Sequence, residues 1–326
     1  MPPAPPTHAG DGDALARRLR EHDRSAAPQV LNLLESRAPS ARPQADALLR
    51  GVSPAALGAE APGHVVGVTG PPGGGKSTLL GQLVRAWRDA GRSVAVLAVD
   101  PSSRRTGGAL LGDRARIPHD PRDDGVFIRS TAAAERLGGL AASTSAAAAA
   151  LAAAFDVVVV ETVGVGQSET DVAELADTVA VVVQPGSGDT LQFLKSGIME
   201  IPDVLVVTKA DLGDIALRAR RDLAAALRSL GRRETAVVAV SSVPPVSGID
   251  ELVAALDERR AHSDVAARRV GARRATALAE FAAEHGERGV RALGGRRAAQ
   301  RWLEEQDAAA DVPALVAALE ARAGSG

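Results

Sequence analysis

The stretch Val65-Val-Gly-Val-Thr-Gly-Pro-Pro-Gly-Gly-Gly-Lys-Ser77 decides the architecture. A short β-branched apolar run leads into Gly70-x-x-x-x-Gly75-Lys76-Ser77, and an apolar helical pattern follows. Strand, glycine-rich turn and helix are the setting a phosphate loop requires. Its backbone N–H groups over Gly73, Gly74, Gly75 and Lys76 can cradle phosphate oxygens at the positive end of the helix. Lys76 reaches the β- and γ-phosphates as a compact charge that a planar guanidinium does not reproduce. The Ser77 hydroxyl is a Mg²⁺ ligand by the same logic, with Thr78 beside it. Eight residues with the right flanks predict nucleotide binding.

Outward from this motif, short Val-rich runs recur at 65–69, 94–99, 126–128, 157–160, 179–183, 204–207 and 237–240, most of them separated by helix-length segments. Near-continuous apolar strands alternating with helices predict an α/β fold with a mainly parallel sheet covered on both faces. Residues 61–249 form the expected nucleotide-binding domain. The Pro-rich residues 1–10 read as disordered, and residues 11–60 as a helical arm. Within that arm one amphipathic helix is expected from Asp13 to about Glu35 and another over Ala45–Leu49. Ser53–Gly63, rich in Pro and Gly, connects the arm to the main domain. Residues 250–326 read as wholly helical, with Leu252, Val253, Leu256, Ala275, Leu278, Phe281, Val290, Leu293, Trp302, Leu303, Leu315, Val316 and Leu319 as packing positions.

Composition narrows the function. A net charge of −2 gives no global pull toward nucleic acid or anionic lipid. The absence of cysteine excludes disulfides and thiolate metal sites and fits a cytoplasmic protein. The longest apolar run, Ala146–Val160, is Ala-rich and broken by Asp156, which does not suit a membrane span. Only three of the 38 basic Lys and Arg residues are lysines. Two of them, Lys76 and Lys209, fall in nucleotide motifs, and the third is Lys195.

Thr208-Lys-Ala-Asp211 follows an apolar strand, in the place of the guanine-reading Asn-Lys-x-Asp of G proteins. Asp211 would accept from the guanine N1–H and 2-amino group, donors that the same edge of adenine does not offer. The Lys209 stem would lie across the base. One strand later, N–H groups near Ser241, Ser242 and Val243 could meet guanine O6. Thr208 in place of Asn removes a longer side chain that braces the phosphate loop, so weaker nucleotide affinity is expected. Asp100 and Asp113 open and close a polar segment at a strand end, where α/β sheets place ligands. Both are candidate Mg²⁺ or water ligands, and Asp113 alone is equally a capping residue. Glu161 ends a four-valine strand in the Walker-B place, and the Gly164 N–H is positioned to sense the γ-phosphate.

The segments 100–116 (Asp-Pro-Ser-Ser…Gly-Asp-Arg-Ala-Arg), 161–169 (Glu-Thr-Val-Gly-Val-Gly-Gln-Ser-Glu), 197–201 (Gly-Ile-Met-Glu-Ile) and 208–211 resemble the MeaB/ArgK family of P-loop GTPases. The resemblance is specific over about 64–245 and loose in the C-terminal helices. It implies a SIMIBI-class G domain, the class of dimeric metallochaperone and signal-recognition GTPases. It further implies GTP or GDP with Mg²⁺ as ligands, and Asp100, Asp113 and Glu161 around the metal and attacking water. The implied partner is an adenosylcobalamin-dependent acyl-CoA mutase, chiefly methylmalonyl-CoA mutase, whose cofactor loading, protection or reactivation the protein assists. Residues 250–326 would then be a homodimerisation arm. The chain departs from the pattern at Thr208 and in residues 129–139, which lose the usual proline-serine stretch. Val165 stands where Ras-like proteins carry a water-orienting Gln, which predicts slow intrinsic hydrolysis. A partner could bring Gln167 or Lys195 to the site, and Lys195 is equally an ordinary surface lysine. Two alternatives stay open. One is a nickel or cobalt metallochaperone GTPase, disfavoured by the lack of Cys pairs and His-rich tails. The other is a small-molecule kinase of the arginine/ornithine transport type, disfavoured by Asp211.

Overall fold

The computed structural model describes residues 11–100, 117–132, 142–162, 167–186 and 202–324, with Asp100, Ala132 and residues 167–169 described by their backbone alone. Asp113, Gly164 and Lys195 lie outside the described residues.

Seven strands form one sheet: β1 (His64–Thr69), β2 (Val94–Asp100), β3 (Val126–Ala132), β4 (Val157–Glu161), β5 (Thr178–Val183), β6 (Val204–Val207) and β7 (Ala236–Ala239). Their order is β3-β2-β4-β1-β5-β6-β7, and every pairing is parallel. All seven coincide with the expected Val-rich runs. Val157, Val158, Val159 and Val160 are fully buried. A strand covered on both faces needs no polar side, so the run is continuous rather than alternating.

Two compact units emerge. The larger, Gly63–Ala148 with Phe155–Arg269, holds the sheet. On one face, α5 (Lys76–Asp89) buries Leu79, Leu80, Leu83, Val84 and Trp87, a single helical stripe, against Val66, Val68, Val96 and Val182. Each such side chain contributes about 1.5–3 kcal/mol on burial. The helix α9 (Ile249–Ala261) joins that core through Leu252 and Leu256. It thus packs with the sheet. On the other face, Gly67 of β1 lies so close to α7 (Gln167–Leu175) that an added methyl would sit 2.7 Å from Val172 Cγ2.

Buried aspartates anchor the N-terminal edge of the sheet. Asp177 accepts from the Val65 N–H at 2.9 Å and from Arg269 Nε at 2.8 Å. Asp203 accepts from the Val179 N–H at 3.0 Å and from Arg259 Nε at 2.7 Å. These bonds tie strand starts together and thereby fix the height of the opposite edge.

The smaller unit comprises residues up to Pro62, Ala149–Ala154 and Val270–Gly326. Its helices include α1 (Gly12–Arg20), α2 (Ala27–Leu34), α3 (Arg42–Gly51), α4 (Pro54–Leu57), most of α10 (Val265–Ala292), α11 (Arg296–Glu304) and α12 (Val312–Gly324). The helix expected from Asp13 to Glu35 is broken. His22 turns left-handed at φ 57°, and Asp23 accepts from the Ser25 N–H at 3.1 Å, starting a new turn before Pro28. In the C-terminal helices Ala277, Leu278, Phe281, Val290, Leu293, Leu303, Leu315, Val316 and Leu319 form the core. Ala275, expected inside, is exposed, and Ala277 takes the inward place. Among the described residues no helix is long and apolar enough to cross a membrane. Two helices of the larger unit, α6 (Ala142–Leu151, whose last residues belong to the smaller unit) and α8 (Asp214–Ser229), complete the set.

Candidate functional site

Because every strand points the same way, the C-terminal ends of all seven strands lie on one edge, the edge where such sheets bind ligands. The phosphate loop follows the central strand β1. Gly70 has φ 144°, and a side chain there would run into the Val182 carbonyl of β5. Gly75, at φ 87°, ends the loop as the N-cap of α5. The loop closes on itself through the Gly74 N–H to the Pro71 carbonyl at 3.2 Å. Gly73 adds a third positive φ of 74°.

Lys76 is only 6% exposed, and its Nζ donates to the Gly70 carbonyl at 2.7 Å and the Pro71 carbonyl at 3.0 Å. The ammonium is thus aimed back over the loop, held by the loop's own oxygens. A buried cation is retained at this cost only where it has partners. Thr78 is exposed within the first turn of the helix.

Ser77 donates from Oγ to Glu161 Oε1 at 3.4 Å, which brings α5 and the end of β4 together. Glu161 is 7% exposed. A hydroxyl and a carboxylate oxygen at this separation suit neighbouring corners of a Mg²⁺ octahedron, which for bonds of about 2.0–2.1 Å lie roughly 3 Å apart. Asp100 is the last residue of β2, and its backbone pairs with Ala132. Gln167 is the first residue of α7.

The base-reading segment is assembled from β6 and β7. Lys209 is left-handed at φ 56°, which swings the chain into a short turn carrying Asp211. Asp211 is exposed, and Ser241 approaches it, with Oγ 3.3 Å from Asp211 Oδ1 and donating to the Val243 carbonyl at 2.8 Å. The Ala210 N–H donates to the Val240 carbonyl at 3.0 Å, locking the two segments side by side. Ser242 and Val243 continue the loop beyond Ser241.

Thr208 corrects an expectation. It is 2% exposed, and its hydroxyl donates to the Gly74 carbonyl at 2.7 Å, with the Val183 carbonyl at 3.3 Å. The shorter residue therefore still reaches the phosphate loop through its hydroxyl. Gln82 belongs to no sequence motif. It donates from Nε2 to the Ser242 carbonyl at 3.1 Å. In the sequence it is marked only as a polar residue between Gly81 and Leu83.

The family model described as "Methylmalonyl Co-A mutase-associated GTPase MeaB" matches residues 27–291. The chain belongs to the MeaB family. A Pyrococcus abyssi protein named as a GTPase is 42% identical over 255 residues, 76% of each chain. GTPase ArgK of Escherichia coli is 41% identical over 198 residues, 60% of this chain and 58% of that one. A Caenorhabditis elegans protein named "methylmalonic aciduria type A homolog, mitochondrial" is 37% identical over 214 residues, 63% of this chain and 53% of that one. The alignments with these last two span less than two thirds of each relative's length. A crystal structure of an LAO/AO transport system kinase superposes with a TM-score of 0.62 at 27% identity, covering 93% of this chain and 99% of that one. The fold is that of a P-loop GTPase.

Proposed function

We propose that this MeaB-family protein binds GTP with Mg²⁺, hydrolyses it slowly, and acts as a G-protein chaperone of an adenosylcobalamin-dependent acyl-CoA mutase. The observation that carries the nucleotide assignment is one edge holding two recognition elements: a phosphate loop closed by buried Lys76, and Asp211 positioned beside Ser241. An exposed carboxylate acceptor fits the N1–H and 2-amino donors of guanine.

The residues divide the work. Gly73 and Gly75 present N–H groups to phosphate oxygens, Gly74 joins them where its N–H is released from the Pro71 carbonyl, and Lys76 adds a fixed positive charge. Ser77 and Glu161 would hold the metal, with Asp100 and Asp113 as outer ligands. Mg²⁺, when bound, neutralises charge on the β- and γ-phosphates. Glu161, buried at the strand end, orients water near the γ-phosphate. Gly164 donates its N–H to that phosphate, and Gln167 or Lys195 supplies polar or cationic assistance when a partner rearranges the neighbouring segments. Lys209 covers the base. Association of two copies through the C-terminal helices and a cytoplasmic location belong to the same proposal.

The mutase partner is supported by the family description and by the name of the C. elegans relative. The test is GTP hydrolysis by the purified protein, alone and with the adenosylcobalamin-dependent mutase of its own organism. A slow basal rate that rises several-fold with the mutase is expected. An unchanged rate would remove that partner. Phosphate transfer from ATP to arginine or ornithine would instead establish a kinase.

A further inference from the structure

We infer that Gln82 is a positioning residue for guanine recognition, acting through the peptide between Ser242 and Val243. This rests on the guanine-nucleotide assignment above. Gln82 lies in α5, the helix that begins with the phosphate-binding Lys76, yet its side-chain amide is spent on the base-reading loop, donating to the Ser242 carbonyl at 3.1 Å.

The loop is pinned on either side of that peptide. The Val240 N–H donates to the Val207 carbonyl at 2.8 Å, so residue 240 extends the sheet. Ser241 and Ser247 exchange two backbone bonds of 3.0 Å each, closing the loop at its base. Ser241 Oγ donates to the Val243 carbonyl at 2.8 Å. The Ser242–Val243 peptide stands between these anchors, and the bond from Gln82 fixes its rotation. In a trans peptide the C=O and N–H point in opposite directions. A Ser242 carbonyl drawn toward α5 therefore directs the Val243 N–H away from α5, toward the exposed side of the loop. That N–H is one of the donors expected to meet guanine O6. Gln82 thus ties the phosphate-binding helix to the aim of an O6 donor, while Asp211, on a different strand end, reads the N1 and N2 positions.

The two recognitions can be separated with three diphosphates. GDP carries O6 and the 2-amino group, IDP keeps O6 without the 2-amino group, and 2-aminopurine riboside diphosphate keeps the amino group without O6. In Gln82→Leu, which preserves bulk and removes the donor, affinity for GDP and IDP should fall together by about 5–10-fold. The GDP-to-IDP ratio should stay constant, and 2-aminopurine riboside diphosphate should bind as to the wild type. Gln82→Glu, which turns a carboxylate on the Ser242 carbonyl, should act in the same direction and guards against a packing artefact of leucine. Gln82 is half-buried, so both variants should fold, and their thermal midpoints check it. Equal losses for all three ligands would mean that Gln82 supports the pocket generally, and unchanged GDP affinity would mean it does nothing; either overturns the inference. A wild type that binds ADP as well as GDP refutes the guanine assignment itself, and the role of Gln82 with it.

Discussion

Replacing Thr208 by Val removes one hydroxyl and leaves the shape of a fully buried side chain. The bond lost is the 2.7 Å contact to the Gly74 carbonyl, in a position only 2% exposed, where water cannot substitute. The second acceptor, the Val183 carbonyl, already receives the Thr208 backbone N–H at 3.0 Å, so the cost falls on the phosphate loop. Leaving a buried acceptor short of a donor costs about 1–3 kcal/mol. If some 1–2 kcal/mol of this reaches the bound state through a slackened loop, GDP affinity drops by about 5–30-fold. Displacement of a fluorescent GDP analogue measures this directly. Thr208→Ser keeps the hydroxyl and should stay within about twofold of the wild type. A Thr208→Val protein with wild-type GDP affinity would show that the hydroxyl does not brace the loop, and the geometry would then be incidental.

Three further outcomes follow from the same contacts. Asp211→Asn should weaken GTP binding by at least about tenfold while improving binding of xanthosine triphosphate, because the new amide donates where the carboxylate accepted; unchanged preference would remove Asp211 from the base site. Arg269→Met leaves the Asp177 carboxylate, 1% exposed, without its cation and should cost about 3–5 kcal/mol in urea denaturation; a loss under about 1 kcal/mol would mean the pair is not an anchor. His64 is fully buried, its Nε2 2.9 Å from Thr178 Oγ1, and burial holds its pKa below the ordinary 6.5, with Asp257 at 3.7 Å and Asp177 opposing and Arg260 assisting. The unfolded chain then binds more protons than the native one as pH falls below 6.5, so stability declines toward acid by up to about 1.4 kcal/mol per pH unit. In His64→Leu that part of the slope, read from urea midpoints between pH 7.5 and 5, should disappear, and an unaltered slope would count against it.

The sheet was legible because its strands are short Val runs buried on both faces, and the phosphate loop because its glycines and Lys76 stand at fixed offsets between strand and helix. Tertiary contacts were less so. Nothing in the spacing of Asp13–Glu35 shows that His22 adopts a left-handed backbone, and helical periodicity does not separate Ala275 from Ala277 when alanine fills both faces. The bracing role of Thr208 is hidden in the sequence because side-chain length alone does not give the distance to be spanned. The role of Gln82 is invisible in the sequence because its partner, the Ser242 carbonyl, is 160 residues away in the chain.

The most direct test of the central claim is equilibrium binding of GDP and ADP, with Mg²⁺, to the wild type and to Lys76→Ala. A guanine-nucleotide site at the C-terminal edge of the sheet predicts GDP preferred over ADP by at least about 100-fold, since Asp211 is left facing the N1 lone pair and C2–H of adenine, and loss of GDP binding in the variant. Equal affinity for both nucleotides, or GDP binding that survives Lys76→Ala, would contradict it.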